Sequence, residues 1–264
     1  MARRARLDAE LVRRGLARSR EHAADLIAGG RVKVGGQVAS KAATAVDAAT
    51  PVLVAEDTGP SYASRGGHKL VGALEAFGYD PTGKRVLDAG ASTGGFTDVL
   101  LQRGAAHVVA VDVGYGQLAW QLQSDPRVTV LDRTNVRSLT LEQIGEPVDL
   151  VVADLSFIPL GLVLPALVAC CTAEADLLPM VKPQFEVGRE RLPSGGVVRD
   201  PADRADAVRR VAVQAAELGL GVLGVTASPL PGPSGNVEFF LWLRRGAPAL
   251  VEADLLRAVE VGPK

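Results

Sequence analysis

Between residues 85 and 245 the chain repeats one pattern. A short apolar run ends in a glycine or a charged residue, and a stretch with helical spacing of its apolar positions follows. Arg85–Ala89 runs into Gly90, His107–Val111 into Asp112, Val128–Leu131 into Asp132, Val148–Ala153 into Asp154, and Leu177–Val181 into Lys182. Runs this short and this apolar read as strands buried on both faces, and helices between them make successive strands parallel. The fold class that follows is α/β, a doubly wound, mostly parallel sheet. In such sheets chemistry sits at the carboxyl ends of the strands, where these glycines and charged residues fall.

The chain has 264 residues, 47% of them hydrophobic, enough for one α/β domain and a small module. The only cysteines, Cys170 and Cys171, are adjacent. They cannot build a disulfide framework or a zinc site and read as core residues in a reducing compartment. No His/Cys/Asp cluster suggests a metal, so none is expected. No apolar run reaches the ~18 residues of a membrane span. The basic start, Met1 to Arg6, lacks the apolar stretch of a secretory signal. A cytoplasmic protein is expected.

Net charge is −1, yet residues 1–33 carry nine basic residues against four acidic ones, an excess that suits a phosphate-binding face. Leu7, Leu11 and Val12 mark one helix. Ser19 caps a second, striped by Ala23, Leu26 and Ile27 and ended by Gly29-Gly30. Val32, Val34 and Val38 then alternate, inward-facing, around a Gly35-Gly36 hairpin turn. Arg6-Leu7-Asp8, Gly15–Arg20, Leu26-Ile27 and Gly30–Val34 together resemble the α+β RNA-binding domain first described in small-subunit ribosomal protein S-four. The resemblance implies RNA contact by Arg4, Arg6, Arg18, Arg20 and Lys33. Gly59-Pro60 marks a connector over residues 57–64. The expected domains are an RNA-binding domain, 1–59, a linker, 60–64, and a catalytic domain, 65–264.

The turn Asp88-Ala89-Gly90-Ala91-Ser92-Thr93-Gly94-Gly95-Phe96 resembles motif I of class-I S-adenosylmethionine-dependent methyltransferases, whose sheet has seven strands. Glycines there let a cofactor lie against the backbone. The dinucleotide-binding Gly-x-Gly-x-x-Gly spacing is absent. The resemblance implies S-adenosylmethionine as cofactor, held by Asp88, Gly90, Ala91, Ser92, Gly94, Gly95 and Phe96. Asp112 would take its ribose hydroxyls, Asp132 and Asn135 would lie near its adenine, and Asp154 near its sulfonium. The Phe239–Leu243 strand is expected antiparallel, as in related methyltransferases.

Four polar residues far apart in sequence complete the reading: Lys69 opening an apolar-striped helix, Asp154 and Lys182 after strands, and Glu238 before one. Their contexts are Ser64–Leu70, Asp154-Leu155-Ser156-Phe157, Val181–Glu186 and Ser234–Phe239. With the N-terminal module, these contexts resemble the TlyA family, whose catalytic domain is related to the FtsJ-type fold. The family implies 2′-O-methylation of cytidine in ribosomal RNA, of the small subunit, the large subunit or both, and susceptibility to capreomycin-type antibiotics. Some of its members carry the name hemolysin. A ribose hydroxyl is a weak nucleophile, so the enzyme must align it with the methyl group and remove its proton. A lysine serves as base only if burial or a second cation disfavours its charge, and two lysines in one site supply that repulsion. Lys182 is therefore expected to take the proton, Asp154 to orient it, and Lys69 and Glu238 to form a pair that positions the ribose. His68 reads as a substrate-side or capping residue. Arg65 and the 188–199 stretch are further candidates for RNA contact. A monomer acting on ribosomal subunits is expected. A methyltransferase with another acceptor, and a non-enzymatic RNA-binding protein, are the alternatives. A pore-forming role finds no membrane segment or basic amphipathic helix to support it.

Overall fold

The structure, a computed structural model, describes residues 4–17, 19–55, 61–188, 190–232 and 234–263. Arg18 and residues 57–60 of the expected connector lie outside them. The chain divides into two compact units, Met1–Ser61 and Tyr62–Lys264.

The first unit runs β1 (Ala5–Arg6), α1 (Leu7–Arg13), α2 (Arg20–Ala28), β2 (Val32–Val34), β3 (Gln37–Val38), β4 (Ala45–Val46) and β5 (Val52–Val54). Leu7, Leu11, Ala23, Ile27 and Val32 form its core. Ser19 Oγ accepts from the His22 amide, the expected cap of α2. Gly35 and Gly36 both take positive φ, as a two-residue hairpin turn demands. That turn also corrects one expectation. It pairs Val38 with Lys33, and directly opposed residues share a face. Val38 therefore points outward with the lysine and is exposed, whereas Val32 is buried.

The second unit opens with α3 (Gly67–Phe77). It continues β6 (Arg85–Ala89), α4 (Gly95–Gln102), β7 (His107–Val111), α5 (Trp120–Gln123), β8 (Val128–Leu131), α6 (Leu141–Ile144), β9 (Val148–Ala153) and α7 (Leu164–Ala169). Then come β10 (Cys171–Val181), α8 (Pro183–Glu186), α9 (Pro201–Glu217), β11 (Leu220–Ala227), β12 (Phe239–Arg245) and α10 (Glu252–Val261). Seven strands form one sheet in the order β11-β12-β10-β9-β6-β7-β8. β12 is antiparallel to both neighbours, and the other pairs are parallel. Apolar clusters cover the two faces, and Phe239 and Phe240 on β12 are wholly buried, one in each cluster.

Strand order reverses between β6 and β9, which opens a crevice at their carboxyl ends. Residues 62–64, expected as linker, are packed into this unit. Tyr62 is buried edge-on to His68, and the Ala63 amide donates to Asp98 on α4. β10 starts six residues before the expected Leu177. Asp176 interrupts its apolar pattern but is buried, accepting from Trp242, Arg244 and Tyr79.

Candidate active site

The four candidate catalytic residues lie at one end of the sheet because of strand direction. Asp154 and Lys182 follow β9 and β10, parallel strands that end near each other, with Pro179 beside Ala153 and β10 running on to Val181. β12 runs the opposite way, so its start faces their ends, and Val181 is paired with Phe239. Lys182 and Glu238 therefore sit side by side, one after its strand and one before. Lys69 reaches the same place from the first turn of α3, donating from Nζ to Glu238 Oε2 at 2.6 Å. Both members of that pair are buried.

Lys182 is buried too, with Nζ 2.6 Å from Asp154 Oδ1. The angles of that ion pair fall short of a hydrogen bond; the hydrogen bond from Nζ goes to Ser156 Oγ at 2.9 Å. Each lysine thus has its own carboxylate, and the site is two adjacent ion pairs. Asp154 Oδ1 and Glu238 Oε1 are buried without any hydrogen-bond donor. Asp154 Oδ1 has the Lys182 ammonium in ion-pair contact, so Glu238 Oε1 is the acceptor of the two left without a partner, a rare state in folded proteins.

The glycine loop lies across the crevice. Gly90 adopts φ +86°, and a Cβ there would come 2.6 Å from the Asp154 carbonyl oxygen, so only glycine lets the two strand ends approach this closely. Gly94 has φ +96° and sits with Gly95 against neighbouring packing, and Ser92 takes φ +48°. Ser92 and Thr93 are exposed, whereas Ala91, Gly94, Gly95 and Phe96 are buried. The Phe96 ring packs toward Phe240 rather than outward.

Asp88 is fully buried under the loop, where it accepts from Thr97 Oγ1 at 2.6 Å. Burial, opposed by that hydrogen bond, pushes its carboxyl up to about 7. Its geometry is that of a brace between β6 and α4.

Asp112, half-buried after β7, accepts from the amides of Ser92 at 2.8 Å and Gly114 at 2.7 Å. A carboxylate has about four acceptor sites, so ribose hydroxyls still find lone pairs there. Asp132 accepts from the Gly116 amide, and Asn135 caps the 3-10 turn Val136–Ser138 through the Arg137 amide. Carboxylates at the ends of β9, β7 and β8 suit a ligand with a cationic sulfur at one point and hydroxyl and amino donors further along, as an adenosyl sulfonium has.

Three features of this region were not anticipated. Phe157 is 90% exposed at φ +66°, an unfavourable backbone for an aromatic residue, and its ring stands 5.2 Å from that of Phe185. Glu186 is buried at the end of α8. Asn236 is buried and ties the 188–199 stretch to the start of β12, accepting from the Val198 amide and donating to the Gly196 carbonyl. The Ser-Phe after Asp154 and the Asn-Val-Glu before β12 were visible in sequence; their exposure and partners were not. Arg65 and His68 are exposed.

In the first unit Arg6 and Arg20 converge on Asp8, with Nη–Oδ2 distances of 3.0 and 2.9 Å. The guanidinium of Arg6 first, and that of Arg20 with it, holds the Asp8 carboxyl well below the usual carboxylate range. Arg4 and Lys33 are exposed. Among the described residues no group of His, Cys, Asp and Glu could hold a metal ion, and no helix is long and apolar enough to cross a membrane.

Residues 62–245 match the FtsJ-like methyltransferase family, and residues 5–50 match the S4 domain. The chain is 62% identical over the full length of both proteins to the 16S/23S rRNA (cytidine-2'-O)-methyltransferase TlyA of Mycobacterium tuberculosis. It is 42% identical to a candidate rRNA methyltransferase, YqxC, of Bacillus subtilis, over 98% of this chain and 94% of that one. A solved structure of a candidate hemolysin from Streptococcus thermophilus superposes with a TM-score of 0.78 at 34% identity, covering 98% of this chain and 96% of the other. With its seven-stranded sheet, its glycine loop and an S4 domain ahead of them, the chain belongs to the FtsJ-like methyltransferases and, within them, to the TlyA family.

Proposed function

We propose that the protein methylates the 2′-hydroxyl of a cytidine in ribosomal RNA, with S-adenosylmethionine as donor. The observation that carries this reading is the ion pair of buried Lys182 with half-buried Asp154, with Ser156 on the lysine, at the crevice beside the glycine loop. S-adenosylmethionine, when bound, supplies an electrophilic methyl group. Asp112 would receive its ribose hydroxyls, Asp132 and Asn135 would border its adenine, and Asp154 would face its positive charge. Lys182, as the neutral amine, would take the proton of the incoming 2′-hydroxyl as the methyl group leaves sulfur for that oxygen. Ser156 and Asp154 fix the direction of Lys182 Nζ. The Lys69–Glu238 pair, too buried to swing, holds the ribose side of the crevice. Alignment of this kind supplies much of the rate when the chemistry itself needs only an in-line approach and a proton acceptor.

The exposed Phe157 ring stands one residue from Ser156 and offers a flat apolar face beside the lysine. Single-stranded or flipped-out bases are held by such faces, and a target inside a helix must leave its stack to be reached. Arg4, Arg6, Arg20, Lys33 and Arg65 are the cations proposed for RNA phosphates, with Arg18 in the same role. The named M. tuberculosis relative acts on 16S and 23S rRNA, and the same two RNAs are the proposed acceptors here. The protein is read as a monomer working among ribosomes in the cytoplasm.

The test incubates unmodified ribosomal subunits and free rRNA with labelled S-adenosylmethionine and either wild-type or Lys182→Ala protein. Primer extension then maps 2′-O-methyl groups. Label at a defined cytidine ribose, lost with Lys182→Ala, is the expected result. No label on any RNA, despite measurable donor binding, would replace this reading with a different acceptor.

A further inference from the structure

Two loops carry the site's chemistry. One leaves β9 with Asp154 and Ser156 and runs through Phe157 to the 3-10 turn Leu160–Leu162. The other leaves β10 with Lys182 and becomes α8, which ends at Glu186. On the open side they touch through Lys182 Nζ, which meets Asp154 and Ser156, and through the rings of Phe157 and Phe185. On the closed side Glu186 reaches across. Its Oε1 accepts from the Leu160 amide at 2.8 Å, and the residue is 4% exposed. Its Oε2 is buried without a hydrogen-bond partner.

A buried carboxyl with one oxygen unsatisfied costs stability, so its single bond is the reason to look for a role. Burial pushes this carboxyl up to about 7, opposed by the Leu160 amide and by Arg210, the charged group facing it from α9. The turn on its other side offers the Leu160 backbone N–H. Glu186 has no access to a substrate, so whatever it does reaches the reaction through the loops it joins.

We propose that Glu186 is a positioning residue for methyl transfer: by holding the Leu160 amide it fixes the Asp154–Ser156 loop against the Lys182 loop. The proposal rests on the reading of Lys182 and Asp154 as the transfer site. The lever is short. Leu160 is six residues from Asp154, and Glu186 is four from Lys182, with Pro159 and Pro183 stiffening the two paths. If the brace is cut, the Lys182–Asp154 geometry relaxes while the glycine loop, Asp112 and Asp132 are untouched. Misplacement by about 1 Å in such a site lowers the rate by about 100-fold.

The experiment compares wild type, Glu186→Ala and Glu186→Gln by kcat, by donor affinity and by amide hydrogen exchange in residues 155–162. The amide oxygen of glutamine can still accept from Leu160. The expected result is a kcat about 10- to 100-fold lower for Glu186→Ala, with donor Kd within about two-fold. Exchange at Leu160 should be faster in Glu186→Ala, and Glu186→Gln should be close to wild type in both respects. Unchanged kcat and exchange in Glu186→Ala would overturn the proposal, as would a Glu186→Gln variant as impaired as the alanine. Should Glu186→Ala fail to fold, Leu160→Pro is compared with Leu160→Ala. Both lose the leucine side chain, and only the first loses the N–H; equal kcat in the two would overturn the brace. Wild-type protein that labels no RNA would sink the acceptor reading, while the exchange measurement still decides whether the brace exists.

Discussion

Both units of the chain set acidic side chains against basic ones, but they bury them differently. In the first unit's Asp8 cluster only the acid is inside. Asp8 and Glu10 are buried, while the Arg6 and Arg20 side chains that close on Asp8 are 53% and 62% exposed. In the second unit both partners of Lys69–Glu238 are inside, at 9% and 1%. An exposed arginine tethered by a buried carboxylate keeps its remaining N–H donors for a phosphate and has lost part of its rotational freedom before the phosphate arrives. A pair buried at both ends offers little to an outside partner. It is a fixed arrangement of charge, costly to break and slow to reorganise. The Asp8 cluster presents its cations, whereas the Lys69–Glu238 pair keeps both charges inside.

The largest effect should come from the stored charge. Lys182→Ala is expected to lower kcat by about 10³-fold with donor affinity within a few-fold, measured by single-turnover methylation. Retention of most activity would remove Lys182 from the reaction and end the contrast. Next, Glu238→Ala leaves Lys69 buried without a partner. Urea unfolding should show a loss of about 3–5 kcal/mol. Lys69→Met with Glu238→Leu should return most of that stability without returning methyl transfer. A double variant as unstable as the single would mean that the pair is not what the site rests on.

The presented charge should behave otherwise. Asp8→Ala frees Arg6 and Arg20, and rRNA affinity should fall several-fold while kcat at saturating RNA is unchanged. Arg20→Ala should lessen the slope of log K against log salt by about 1. Equal binding by Asp8→Ala would show that the tether orders nothing the RNA uses.

The smallest effect is a difference in pH response. Glu10 is lowered from 4.5 to about 2 by hydrogen bonds from Arg13 and Arg14. Its contribution to stability is complete above its unfolded value and is lost as pH falls toward 2, so it is constant between pH 5 and 8. Asp88 and Glu186 are raised to about 7 by burial. The native state then holds their protons more tightly than the unfolded chain does. Their contribution is greatest below about pH 4 and is lost as pH rises through 7. Calorimetry should find the second unit melting a few degrees lower at pH 8 than at pH 5, with Asp88→Asn lessening that difference. A first unit that shifts as much as the second would break the comparison.

The sheet could be read from sequence because its strands are buried on both faces and appear as apolar runs, from Val86 to Leu243. The ends of those runs marked Asp154, Lys182 and Glu238 for the same reason. What escaped was long-range pairing. Asp176 belongs to β10 only because Trp242, Arg244 and Tyr79, all distant in sequence, satisfy it. Val38 faces water because the hairpin pairs it with Lys33. Tyr62 sat in a stretch that reads as a turn, and its burial depends on α3 and α4 folding beside it. Glu186 stood in sequence only as the end of the Val181–Glu186 context, because nothing local announces the Leu160 amide.

β12 lies between β10 and β11, yet it is the last strand made. During synthesis the sheet must wait with its interior place unfilled, and Lys69, 169 residues upstream, must wait for Glu238. A chain that stops short of Glu238 lacks the Lys69–Glu238 pair. The Lys69–Glu238 pair, buried at both ends, is therefore among the last long-range contacts the second unit can make.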